Sequence, residues 1–290
     1  MRAARMIRSL LGFLVCSIAT TQVHAAMRTD FESSALVSGT IVIATDGSVR
    51  RVSVDDPEAA RPTLVKFVQD SAMKWHFDPV VPESGTDEKR YRMTVRLIAK
   101  KAANGNYDVV IRGVSFGDGT TTGEVRDNPE NQQMPPRYPM SAIERNVTGT
   151  VYLVLHIDRE GKVTDADAEQ VNLNVFGPEN TMEVWRKQFA SGAVKAARQW
   201  TYRVPTTGPL ASEDGWVIRT SIVYSIKELS EMNKKDFWQT YIPGPRIDVP
   251  WLHKYETQSG NGDTVDALPD YTVQTRGAGP RLRTPAPQGS

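Results

Sequence analysis

The chain has 290 residues, 35 Lys+Arg against 34 Asp+Glu, a net charge of +1 and a single cysteine, Cys16. Basic and acidic residues are interleaved, so no positive stripe exists to follow a nucleic-acid backbone or an anionic lipid surface. The only thiol lies in the leader described next, so the rest of the chain has no disulfide or thiolate metal site and must rely on apolar cores; its length allows two small ones.

Residues 1–25 read as a secretory signal peptide: Arg2, Arg5 and Arg8 make a basic start, Ile7 to Ala19 an apolar stretch, and Val23-His24-Ala25 a small-residue exit. That stretch is shorter than the roughly 20 apolar residues that span a bilayer. Cleavage near Ala25 and a periplasmic location are therefore expected, ahead of an uncleaved inner-membrane anchor.

From Leu36 a strand pattern runs through Val37-Ser38-Gly39-Thr40-Ile41, turns at Asp46-Gly47 and returns along Val49 to Val54 as a hairpin. Leu64, Phe67, Val68, Ser71, Ala72 and Trp75 then recur at helical spacing behind Pro62, which suits a first turn. The helix ends at Trp75-His76-Phe77-Asp78-Pro79, and a strand follows through Tyr91, Met93, Val95 and Leu97. Beyond Ala103-Asn104-Gly105-Asn106, alternating Tyr107, Val109 and Ile111 predict an extra strand covering the edge. The span 117–135, rich in polar residues and Gly, reads as a linker.

The β-β-α-β order then returns, which makes an internal repeat. Val147-Thr148-Gly149-Thr150-Val151 echoes Val37 to Ile41, Asp158-Arg159-Glu160-Gly161 makes the turn, and Val163 to Glu169 is the second strand. Its Asp165, Asp167 and Glu169 predict a solvated face. Asn180 and Glu183 form a capping-box-like start to a helix carrying Met182, Trp185, Phe189, Ala193 and Ala196, closed by Trp200-Thr201-Tyr202. The last strand runs Trp216 to Ile226. Leu229, Met232, Phe237 and Trp238 suggest a short amphipathic helix in a C-terminal extension, 228–257, and the composition of 258–290 predicts a disordered tail. The expected fold is α+β, two tandem domains at 31–116 and 136–227, each a small antiparallel sheet packed against a helix.

Pro136-Arg137-Tyr138-Pro139, Gly149-Thr150-Val151, Glu160-Gly161-Lys162-Val163 and Trp200-Thr201-Tyr202, in that order, resemble the C-terminal domain of the TonB family. The first copy keeps Gly39, Gly47 and Trp75 to Pro79 but has no Tyr-Pro pair, so its likeness is weaker. The resemblance implies a periplasmic module that pairs its last strand with an extended segment of an envelope protein, in that family an outer-membrane transporter. The residues it nominates are Tyr138, Pro139, Trp216, Val217, Arg219, Ser221, Ile222 and Val223. An open sheet edge suits such pairing, since its unused N–H and C=O groups can be satisfied by an incoming strand. Tyr138-Pro139 has two readings, a partner contact or a fixed approach of the chain into the domain. A long Pro-rich spacer of the kind found in TonB-like energy transducers is missing here, and an envelope scaffold or a homodimer is the alternative role.

No catalytic constellation is present: Gly-x-Ser-x-Gly and phosphate-cradling loops do not occur, and no enzyme activity, cofactor or small-molecule substrate is expected. His76, His156 and His253 are not spaced as ligands, and Asp165-Ala166-Asp167-Ala168-Glu169 lacks the glycine and distal glutamate of a calcium loop, so no metal is expected.

Overall fold

The computed structural model describes residues 31–58, 61–82, 85–101, 106–117, 122–131, 133–226, 238–258, 267–270 and 272–283. Residues 1–25, read as a signal peptide, and with them the expected cleavage site, lie outside the described residues, as do Leu229, Met232 and Phe237. The chain is α+β, with antiparallel sheets and few helices. Among the described residues no helix is long and apolar enough to cross a membrane.

The first sheet is built around β1 (Glu32–Ala44), which pairs along one edge with β3 (Glu88–Lys101); β4 (Tyr107–Gly117) lies outside β3. Along its other edge β1 meets β2 (Val49–Val54) over Gly39 to Ile43 and β10 (Gln239–Tyr241) over Glu32 to Ser34. Alternation decides the buried face: Ala35, Val37, Ile41 and Ile43 point toward helix α1 (Pro62–Ala72), whose Leu64, Val68 and Ala72 are buried at four-residue steps. Burying a side chain such as Leu64 or Val68 contributes about 2 kcal/mol. Pro62 sits in the first turn as expected, because the N–H it lacks has no helical partner there.

The second sheet has the order β11-β9-β6-β7, with β6 at Gly149–Asp158, β7 at Val163–Leu173, β9 at Gly215–Tyr224 and β11 at Val273–Thr275. Helix α3 (Glu179–Ala197) lays Met182, Trp185, Phe189, Ala193 and Ala197 on it. The short α2 (Met140–Glu144) precedes β6.

Equivalent glycines do equivalent work in the two halves. Gly47 and Gly161 have left-handed backbones, φ +88° and +80°, at the tips of the β1–β2 and β6–β7 hairpins. Each carbonyl accepts an N–H from just after the helix-ending tryptophan, Phe77 N at 2.9 Å and Tyr202 N at 2.7 Å. Gly39 and Gly149 lie against the carbonyls of Ser53 and Asn172, where a Cβ would sit 2.2 and 2.3 Å from oxygen. Trp75 and Trp200 are buried at matching places.

Several expectations need correction. The span read as a linker packs on the second half: Val125 is in its core, and β5 (Arg126–Asp127) pairs with β8 (Tyr202–Arg203). The segment read as a disordered tail contributes β11, the fully buried Ala267 and Leu268, and Leu282 to the first core. The capping box does not form: Pro178 is the N-cap, Asn180 Oδ1 accepts from the adjacent Thr181 N–H, and Glu183 pairs with Lys187 one turn on. The acidic face of β7 is not solvated. Glu169 is buried, Asp167 accepts a hydrogen bond from Trp251 Nε1 at 2.7 Å, and Pro250–Gln258, a short 3-10 helix, lies across this side of the sheet.

Candidate functional site

β9 carries six of the eight nominated residues, and its alternation divides them between two covered faces. Trp216 and Ile222 point into the α3 core, with Ile218 and Tyr224, and Trp216 Nε1 donates to Leu210 O at 2.9 Å. Val217 points the other way, into a second apolar cluster with Val154, Val249 and Leu252. Arg219 shares that side and makes a two-pronged ion pair with the Glu169 carboxylate at 2.6 and 3.0 Å, while Ser221 Oγ donates to Pro269 O at 3.1 Å and Val223 is half-buried. The side chains of this strand are thus committed internally. Its backbone edge is what a partner could use.

That edge is not open, contrary to the reading of Trp216 to Ile226 as the last strand, followed by a disordered tail. β11 pairs with it antiparallel, Val273, Gln274 and Thr275 opposite Thr220, Arg219 and Ile218. The Arg276 N–H donates to Val217 O at 2.8 Å. Since N–H and C=O groups alternate in direction along a strand, Val217, Arg219 and Ser221 turn theirs toward β11, and Ile218, Thr220 and Ile222 turn theirs toward β6. The residues that fill the edge, Val273 to Arg276, were missed by sequence reasoning. Their signal was a β-branched run, Thr272-Val273-Gln274-Thr275, bracketed by Pro269 and Gly277.

Tyr138 and Pro139 are placed by the core, away from the β11 side of β9. The Tyr138 hydroxyl donates to Val147 O at 2.6 Å, and its ring stands edge-on to Phe189 at 5.8 Å and Tyr224 at 5.3 Å. Burial pushes its hydroxyl pKa up to about 12, and that of Tyr224 upward too. Pro139 is the N-cap of α2, its carbonyl accepting the Ala142 and Ile143 N–H groups. Of the two readings of this pair, the geometry matches a fixed approach of the chain.

A polar cavity of about 260 Å³ lies at the seam between the sheets, lined among others by Ser34, Arg96, Tyr152, Tyr241 and Asp270. Arg96, buried, donates to Ser34 Oγ at 2.7 Å and Tyr152 Oη at 3.1 Å and lies over the Tyr241 ring, joining the two halves. Among the described residues no group of three or more His, Cys, Asp or Glu side chains could hold a metal ion. His156 instead stacks on Tyr255 with its Nδ1 2.6 Å from Thr164 Oγ1, and burial, the leading cause, lowers its pKa.

The Arg219–Glu169 pair is the strongest electrostatic feature beside the edge, with side chains only 11% and 2% exposed. Replacing Arg219 by Leu leaves the buried carboxylate to the exposed Arg246 guanidinium, 4.0 Å away, and should cost about 3 kcal/mol. Adding Glu169→Leu should return a large part of that loss. Urea denaturation of the two single variants and the double variant measures both effects; a single-variant loss within the error of the wild type would mean that the pair is not buried as described.

Comparison with protein-family models, curated proteins and solved structures returned no match.

Proposed function

We propose that this chain is a non-enzymatic binding protein of the periplasm, built from two tandem TonB-like domains, which takes an extended segment of another envelope protein onto the β9 edge by strand addition. The resemblance points to an outer-membrane transporter as that partner. The tandem reading is supported by the paired glycines, Gly39 with Gly149 and Gly47 with Gly161, each against a corresponding carbonyl. The observation that carries the binding role is the β9–β11 ladder: the edge accepts an antiparallel strand supplied from far along the chain.

The scaffold or homodimer reading is favoured by the same ladder if β11 is exchanged between two copies. A photo-crosslinking amino acid in place of Val223, beside the ladder, separates the two. In growing cells it should capture one extended segment of a different envelope protein, while the same group at Lys187 on the exposed side of α3 should capture nothing specific. Crosslinks only to a second copy of the chain would establish the scaffold, and equal capture at both positions would remove the β9 edge from consideration.

A further inference from the structure

The strand on the β9 edge is not a neighbour in a hairpin. It is part of a strap, residues 267–270 and 272–283, that leaves the second sheet and fastens on the first half of the molecule. At its near end Pro269 O accepts the Ser221 hydroxyl. In the middle, Val273 packs on the second core, the fully buried Thr275 accepts the Val125 N–H on its hydroxyl at 2.8 Å, and Gln274 Nε2 donates to Phe116 O at 3.3 Å. At its far end Leu282 is buried in the first core and bridges Phe77. Backbone hydrogen bonds flank it, Asp78 N to Arg281 O and Arg283 N to His76 O, both 2.8 Å, and the Arg281 and Arg283 guanidinium groups share the Asp78 carboxylate.

We infer that this strap is a built-in competitor for the β9 edge, so that the resting chain is closed and a partner must displace β11 to bind. The inference rests on the reading of β9 as a strand-addition edge and adds its control. The ladder itself is short, three residues against the ten of β9, so its hold depends on what fastens the strap beyond it. Beyond the ladder that fastening consists of a deep apolar anchor, Leu282, as Leu268 is before it, and of ion pairs whose side chains are more than a third exposed and therefore screened. The strap also states what the edge selects: an extended segment with small β-branched residues at alternate positions, as Val273 and Thr275 face the core, and a polar residue between them, as Gln274 faces away.

The test uses a fluorescein-labelled synthetic peptide spanning Asp270 to Arg283, added to the full chain and to the full chain carrying Leu282→Asp, which puts a carboxylate where the anchor was buried. Polarisation should report at least tenfold tighter binding to the variant. If Leu282→Asp does not fold, Arg281→Ala with Arg283→Ala removes only exposed groups and should still tighten binding about threefold. A peptide N-methylated at Gln274 should bind neither protein, since Gln274 faces Arg219 as a hydrogen-bonded pair. Equal saturable binding of the unmodified peptide to wild type and variant overturns the competitor while leaving the strand-addition edge intact. Binding to neither, or undiminished binding of the methylated peptide, overturns the edge itself.

Discussion

Gly161→Ala should destabilise the second half of the molecule by about 3–5 kcal/mol, combining a left-handed backbone that costs an L-residue roughly 1–3 kcal/mol with a steric conflict that no rotamer relieves. The added Cβ would sit 2.1 Å from the Tyr202 carbonyl oxygen, which is backbone and held by the Tyr202 N–H bond to Gly161 O. Moving it apart breaks that bond and pulls on Tyr202, which lies in the core with its hydroxyl pKa raised by burial. Gly208→Ala is the control. Its φ of +78° goes with a ψ of −174°, a backbone region all but confined to glycine, but nothing lies within 4 Å of its Cβ, so only the conformational cost of about 1–3 kcal/mol applies. Gly47→Ala, with Phe77 O at 2.0 Å, should behave like Gly161→Ala in the first half. Chemical denaturation of the three variants decides the matter, and equal losses at Gly161 and Gly208 would show that the close approach has no energetic weight.

Ile222→Pro should cost about 4 kcal/mol or more, whereas Ser221→Pro should leave a folded chain, because the two N–H groups point to opposite sides of β9. The Ile222 N–H faces β6, so proline there orphans a buried carbonyl, a loss of about 1–3 kcal/mol, and its ring also fails to replace a core side chain. Ser221 directs its N–H away from β6, to the β11 side, so its substitution leaves the β9–β6 ladder whole and gives up contacts to the strap, among them the hydroxyl bond to Pro269 O, a loss of about 1 kcal/mol. Circular dichroism during thermal unfolding reads both, with Ile222→Ala separating side chain from backbone. If Ser221→Pro proved the more damaging, the assignment of outward groups on β9 would be reversed.

The strands and helices whose signal is local were legible. Two-residue alternation located β1, β2, β6 and β7, and three- and four-residue spacing located α1 and α3, because each lies in one stretch and needs only its own face to be apolar. What could not be read was pairing over long separations. Asp165, Asp167 and Glu169 look solvated in isolation; Glu169 is buried because Arg219, on a strand fifty residues later, meets it two-pronged. The nominated β9 residues were found as a strand, but its covering was not, since β11 is three residues long and the Gly and Pro around it dominate the composition. The linker failed similarly: Val125 seats the segment in the second core, and the β5–β8 pairing that holds it joins residues far apart in the chain.

The thirteen-residue β1 has a consequence for how the molecule is made. Its first residues are finished only when β10 arrives from far along the chain, and the core beneath it only when Leu282 arrives, later still. The first half therefore cannot be completed before these later residues are free to join it, however early that half appears. Such long-range pairing is slow to form, and in the interval the start of β1 is an unpaired edge open to aggregation.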